Sequence, residues 1–328
     1  MRPEPAEPWP DCVQPGAAVR GAGPHTSSFA AQRLDSERAN RQPEGMDPVP
    51  PLIETPVAWP SRAPMQRARG SGRLAVRDDA GAPRLDGLFQ EGSAQIRALR
   101  SAGSQAWEAV LINTAGGLTG GDRFDWRVEV GRNAHCRVIT QACEKVYRAQ
   151  DEPARVEVTL KVAAGARLDW IPQETILFDN AALERRLEVD LAPDARLLLV
   201  EAVILGRTAM GERVLSGRFH DRWRVRRAGQ LVFADDVRLE GAIARISTPP
   251  VTLRGGCAFA TLALFDHDAD PLVEALRSLF GSCGGVSAFD GKLICRLAAQ
   301  DGAALRRMLI PALTLLCDGR GPPRVWTN

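Results

Sequence analysis

Two pairs of carboxylates come first among the residues able to do chemistry: Glu174 and Asp179 in WIPQETILFDNA, and the adjacent Asp235 and Asp236. Two carboxyl groups flanking a scissile bond can divide acid and base roles, so a hydrolase using paired carboxylates is one reading. Surface pairs of Asp and Glu are common, and nothing in this spacing fixes a geometry. Gly116, Gly117, Gly120 and Gly121 in NTAGGLTGGDRF are the second candidate. A phosphate cradle would need a Lys-Ser or Lys-Thr pair after the second glycine pair and a strand-to-helix context. Asp122-Arg123 stands there instead, so the glycines read as a tight double turn between strands, with positive φ and close chain approach. Of the four histidines, His25 lies in a proline-rich arm, and His135, His220 and His267 form no HExxH. No GxSxG precedes a helix, and no GxGxxG follows a strand. His135 and Cys136 are neighbours on an expected strand, where successive side chains point to opposite faces, so they are poorly placed to chelate one ion together.

These residues need a frame, and the sequence repeats one. Ala134, Ala166 and Ala195, spaced 32 and 29 residues apart, each follow a short apolar strand and a turn. Each precedes a basic or imidazole residue and a second apolar strand. Val128 and Val130 lead to Ala134, His135, Cys136, Val138 and Ile139; Leu160 and Val162 lead to Ala166, Arg167, Leu168, Trp170 and Ile171. Val189 and Leu191 lead to Ala195, Arg196, Leu197, Leu199 and Val200. Such units stack to bury a core that none could bury alone. The expected fold is mainly β, in stacked β-helix-like or solenoid layers. A weaker fourth copy is expected from Val225 through Gly229 to Val232, without the alanine. Further strands are expected at RLAVRDD, from Leu88 to Leu99 and at AWEAVLIN, with strand patterns persisting to about Arg254.

Two helices are expected near residues 271–280 and 302–316, forming a small C-terminal α-helical part. Asp270 and Pro271 read as cap and first-turn proline for Leu272, Ala275, Leu276 and Leu279, with Gly281 ending the run. Asp301 caps the second helix, which carries Leu305, Met308, Leu309, Ala312, Leu313 and Leu316 on one face and a kinking Pro311. A strand pair around Val286 and from Leu293 to Leu297 lies between them. The apolar stripes fit core packing, the default, or a docking surface.

Composition narrows the partners. With 42 basic and 40 acidic residues the net charge is +2, so no field of one sign invites nucleic acid. One tyrosine among few aromatics also argues against base stacking. No window approaches the roughly 20 apolar residues that span a bilayer, and MRPEPAEPWP has no apolar signal core, so no membrane role and a cytoplasmic location are expected. Seven irregularly spaced cysteines without a CxxC pair read as reduced, mostly buried thiols. Residues 1–64 hold 13 of the 23 prolines and read as a disordered arm, in which Met46 is a candidate start that would make the first 45 residues a start-site artefact.

Five collinear blocks resemble one family, the urease accessory protein UreD, called UreH in some organisms. NTAGGLTGGDRF is similar to its PPGGLVGGDxL-type segment, and TQACEKVYRA to its TxxGAxKxYR block, which includes Tyr147 and Arg148. WIPQETILFDNA, with Pro172 and Gln173, is similar to LPQETIxFxxA, and LGRTAMGE, with Gly206 and Arg207, to LGRxAxGE. GRGPPRVWTN, with Trp326, is similar to GRxxxxPRIWxT. The resemblance covers about residues 72–328, which it makes a UreD-like β domain, and it does not extend to the arm.

The resemblance implies a maturation factor rather than an enzyme, working with UreF, UreG and apo-urease while nickel and a lysine carbamate are installed. It also implies a β-helix-like stack with a small helical part. A chain poor in histidine and without clustered cysteine is ill-suited to hold nickel tightly, so no stably bound cofactor and no firm metal ligand are expected. Oxygen ligands such as Asp122, Glu144, Glu174 and Asp179 suit a hydrated cation in transit. Structural alternatives stay open for each: Asp122 capping its turn, Glu144 pairing with Lys145 or Arg148, and Glu174 satisfying backbone donors. Trp326 reads either as an aromatic anchor for a partner or as part of a tucked tail.

Overall fold

The computed structural model describes residues 66–99, 106–207, 210–318, 321 and 324–326; the expected disordered arm and the Met46 start lie outside them. Strands run in chain order as β1 (Arg69–Asp79), β2 (Ala82–Gly92), β3 (Ala94–Leu99), β4 (Trp107–Asn113), β5 (Arg123–Val130), β6 (His135–Thr140), β7 (Glu144–Val146), β8 (Ala154–Val162) and β9 (Arg167–Ile171). They continue as β10 (Thr175–Leu177), β11 (Ala182–Leu191), β12 (Arg196–Leu205), β13 (Gly217–Arg227), β14 (Gln230–Gly241), β15 (Ala258–Phe265), β16 (Gly284–Phe289) and β17 (Lys292–Ala299). The helices are α1 (Ile243–Ser247), α2 (Val273–Phe280) and α3 (Gly302–Leu316).

The repeat is a three-sided coil. One face is a sheet in the order β14-β13-β11-β8-β5-β1-β2, and the second is ordered β16-β17-β15-β12-β9-β6-β4-β3. β5, β8, β11 and β13 stack in parallel, with Arg123 opposite Arg155 and Arg155 opposite Glu184, which reproduces the 32- and 29-residue spacing. Ala134, Ala166 and Ala195 close equivalent corner turns, and the N–H groups of Arg167 and Arg196 donate to the carbonyls of Ala134 and Ala166 at 2.9 Å. All three alanines are buried, so the corner admits only a small side chain. The third face is narrow: β7 pairs with β10, and β10 pairs with the end of β12, whose start pairs with β9.

Alternation builds the first sheet. Phe124, Trp126, Val128 and Val130 of β5 point inward, while Arg123, Arg127 and Glu129 face solvent. The middle of the second sheet, around β12 and β15, is buried on both faces, because its outer side carries α3. Leu197 and Leu199 of β12 join the core between the sheets, whereas Leu198 and Val200 join a second core with Leu305, Met308, Leu309, Ala312, Leu313 and Leu316 of α3. The α3 stripe therefore packs on its own molecule. Asp301 caps this helix, accepting from Ala304 N–H at 2.7 Å, and Pro311 lies within it.

Four expectations change. The fourth copy is not a coil: β13 turns back through Ala228 (φ 50°) and Gly229 (φ 81°) into antiparallel β14, a two-residue hairpin that ends the parallel stack. The segment from Leu88 to Leu99 is two strands, broken at Ser93 after Gly92 with φ 62°. Strands also extend past Arg254, since β15 pairs antiparallel with β12; its AFATLALF run is buried on both faces and so lacks alternation. Asp270 begins a 3₁₀ turn without a side-chain cap bond, and Ala275 is exposed while Phe280 takes the buried position. Cys136, Cys143, Cys257, Cys295 and Cys317 are free thiols. Among the described residues, no helix is long and apolar enough to cross a membrane.

Candidate functional site

Four of the five resemblance blocks stack on the third face in register. Leu118 bridges Val146, Val146 stands opposite Leu177, and Leu177 opposite Leu205, all four pointing inward and buried. One step outside this ladder, Tyr147 packs edge-on to Phe178 with ring centroids 5.0 Å apart, and the Arg207 guanidinium carbon lies 4.4 Å from the Phe178 ring centre. The Tyr147 hydroxyl donates to the Gly116 carbonyl at 3.3 Å. Gly117 has φ 142°, and a Cβ there would lie 2.5 Å from the Tyr147 ring. Gly120 leaves room for the Glu152 carbonyl, Gly121 has φ 86°, and Gly206 has φ 82° with the Glu212 carbonyl where a Cβ would stand. Arg148 is exposed, and its carbonyl accepts from the Thr119 hydroxyl at 3.1 Å.

A cavity of about 250 Å³ runs inward from Asn113, Gly117, Cys143 and Glu144 to buried Arg185 and Glu201. Glu144 sits at its rim. Burial pushes the Glu144 carboxyl up to about 7, although Asn113 Nδ2 donates to both oxygens at 3.2 and 3.3 Å. Among the described residues Glu144 forms no ion pair, so neither Lys145 nor Arg148 neutralises it. Burial likewise pushes the neighbouring Cys143 thiol up to about 11, which keeps it protonated.

Glu174 is fully buried at the corner between β9 and β10. Arg306 of α3 grips it with two bonds, Nε to Oε1 at 2.7 Å and Nη2 to Oε2 at 2.9 Å, and Nη2 also reaches Gln173 Oε1 at 3.0 Å. Burial pushes the Glu174 carboxyl up, but the hydrogen bonds and charge of Arg306 outweigh it and hold the group below its ordinary value. The Cys143 thiol donates to Glu174 Oε2 at 3.3 Å. Trp326 is fully buried against this corner, donating from Nε1 to the Ile171 carbonyl at 3.2 Å, so this side chain packs on its own chain. Pro172 is buried beside it and lines the cavity.

Asp122 and Asp179 are turn acceptors. Asp122 takes the N–H groups of Ala68 and Thr119 at 2.8 Å each, one on each oxygen. Asp179 Oδ1 takes the N–H groups of Leu215 and Ser216 at 2.7 and 3.1 Å. Glu174 and Asp179 thus each serve contacts of their own, and Asp235 and Asp236 bond to Arg296 and His220. At the inner end of the cavity, Arg185 binds Asp221 through two bonds of 2.9 and 2.6 Å. Its Nη1 lies 2.5 Å from Glu201 Oε2, an ion pair without hydrogen-bond alignment. Trp170 Nε1 donates to Glu201 Oε1 at 3.1 Å.

Sequence reasoning missed Arg306, Asn113, Cys143 and the Arg185 cluster, although signals existed. Arg185 and Asp221 occupy the inward phase of strands whose other inward residues are apolar, such as Leu183 and Leu187 or Phe219 and Trp223. Arg306 follows a buried leucine and has no acidic residue three or four positions away on its own helix. Among the described residues, no three His, Cys, Asp or Glu side chains cluster to hold a metal ion.

Fold and site together define a stacked-coil β protein whose motif-bearing turns gather on one narrow face around a partly polar cavity. The chain belongs to the UreD urease accessory protein family, whose profile matches residues 68–327. A urease accessory protein UreD from Rhizobium johnstonii (strain DSM 114642 / LMG 32736 / 3841) is 52% identical over 266 residues, covering 80% of this chain and 96% of that protein. One from Rhizobium rhizogenes is 51% identical over 271 residues, covering 82% and 98%. One from Agrobacterium fabrum is 47% identical over 261 residues, covering 80% and 92%.

Proposed function

We propose that this chain is a non-catalytic, cytoplasmic scaffold of urease maturation that joins UreF, UreG and apo-urease while nickel is inserted. Nickel is cargo here, passed along rather than kept as a resident cofactor. The observation that carries this reading is the stacking of four resemblance blocks on one face, three of which line one cavity with a carboxylate at its rim. Of the four transit candidates, Glu144 is the one that lines the cavity, and its carboxylate is held by neutral donors, the Asn113 amide and the Lys145 N–H. Asp122, Glu174 and Asp179 contribute by fixing the turns and the corner around it. A weak oxygen-rich site suits a cation that must leave again, since nitrogen or thiolate ligands would hold nickel far more firmly.

The test is co-expression of the tagged full chain with the host's UreF and UreG homologues and apo-urease, followed by pull-down and a nickel-dependent urease assay. Capture of UreF, with activity lost when the chain is omitted, is the expected result. No capture together with undiminished urease activity would overturn the reading.

A further inference from the structure

We propose that a charged groove on the outer side of the first sheet docks a partner helix that carries carboxylates along one flank and cationic side chains along the other. The proposal rests on the maturation-scaffold reading and names the chemistry of one partner contact.

Register sets the groove. Arg69, Arg123 and Arg155 stand opposite one another on β1, β5 and β8, the longest run of one charge across this sheet among the described residues. Like charges in directly opposed positions are destabilising. Arg155 is relieved by Glu184, 3.3 Å away, but Arg69 and Arg123 form no ion pair among the described residues. One outward position further along the strands, Glu91, Asp125 and Glu157 make a second row, of opposite sign, with Ser71 between Glu91 and Asp125. Asp125 is taken by Arg127 at 2.9 Å, whereas Glu91 and Glu157 form no ion pair among the described residues. The two rows border one concavity of about 500 Å³, and no ion pair among the described residues joins them.

The positive row is held beside the motif-bearing turns. Asp122, at the end of the glycine turn, takes the Ala68 N–H at 2.8 Å, and the Arg123 N–H donates to the Ala68 carbonyl at 3.0 Å. These bonds fix the start of β1 against β5, so Arg69 and Arg123 stay opposed despite their repulsion. A local rule broken and held in place by its surroundings marks a functional surface.

Spacing selects the occupant. Neighbouring strands lie roughly 4.8 Å apart, close to the ~5.4 Å pitch that separates side chains one turn apart on a helix. Residues on one face of an extended chain recur at roughly 6.7 Å, so a strand laid across the row drifts out of step. The acidic row beside the arginines repels a phosphate backbone, which separates this groove from a nucleic-acid surface.

The test is pull-down of UreF, UreG and apo-urease co-expressed with the tagged full chain, alongside thermal unfolding of each variant. Arg123→Glu places a carboxylate between Arg69 and Arg155, so Tm should rise by roughly 1–3 °C while capture of one partner weakens by on the order of tenfold or more. Arg69→Glu should act the same way, and it keeps the test open if Arg123→Glu fails to fold. Lys161→Glu makes the same change in net charge at a position paired with Glu129, and should leave capture unchanged. Benzoylphenylalanine placed at Ser71 should crosslink the same partner through a peptide whose acidic residues recur every three or four positions. Undiminished capture by both arginine variants, a lower Tm in both, an equal loss in Lys161→Glu, or a crosslink to RNA or to a segment without that spacing would overturn the proposal alone. A wild-type chain that captures none of the three proteins would overturn the scaffold reading itself.

Discussion

At the scale of single residues, the glycines and Glu144 make separable predictions. Gly116 and Gly117 both adopt positive φ, but only Gly117 lies against the Tyr147 ring and the Lys145 carbonyl. Gly116→Ala should cost roughly 1–2 kcal/mol from backbone strain alone. Gly117→Ala adds a clash and should cost roughly 3 kcal/mol or more, and equal losses in urea unfolding would contradict this packing. Burial raises the Glu144 carboxyl from an ordinary 4.5 to about 7. The folded state therefore holds a proton that the unfolded state releases, so this contribution is complete below 4.5 and is lost as pH rises through about 7. Glu144→Gln should flatten stability between those values; an unchanged pH profile would place the carboxylate in water. The glycine turn was legible because Asp122-Arg123 ruled out phosphate binding. The pairing of Glu174 with Arg306 was not, because the two lie 132 residues apart.

Element-scale behaviour turns on the strands that meet at the inner end of the cavity. Arg185 of β11 ties Asp221 of β13 to Glu201 of β12, joining two faces of the coil through buried charges. Arg185→Met strands two carboxylates and should cost roughly 3–5 kcal/mol, whereas replacing all three residues with apolar ones should cost much less. Thermal unfolding distinguishes the two, and a triple variant as unstable as the single one would refute the ion-pair account. The three coils were legible because Ala134, Ala166 and Ala195 mark a corner that tolerates little else. β15 was not, because a strand buried on both faces has no alternation to read. The fourth copy misled for a related reason: Val225 continues the inward phase of the stack, but the Ala228-Gly229 turn returns the chain within the same sheet. Helix α3 was read well, since all six residues of its expected stripe are buried.

For the molecule as a whole, one arrangement links the blocks. Segments 28 to 31 residues apart in sequence become neighbours because each coil returns the chain to the third face, and α3 and Trp326 close the adjoining corner from outside. The described strands and helices coincide with the family match over residues 68–327. The central claim is that this frame serves nickel delivery to urease rather than a reaction of its own. The most direct measurement is the nickel content and activity of urease purified from host cells lacking the chain, with and without its re-expression. Nickel-poor, inactive urease that becomes loaded and active on re-expression is the predicted result. Fully loaded, active urease in the absence of the chain would contradict the account.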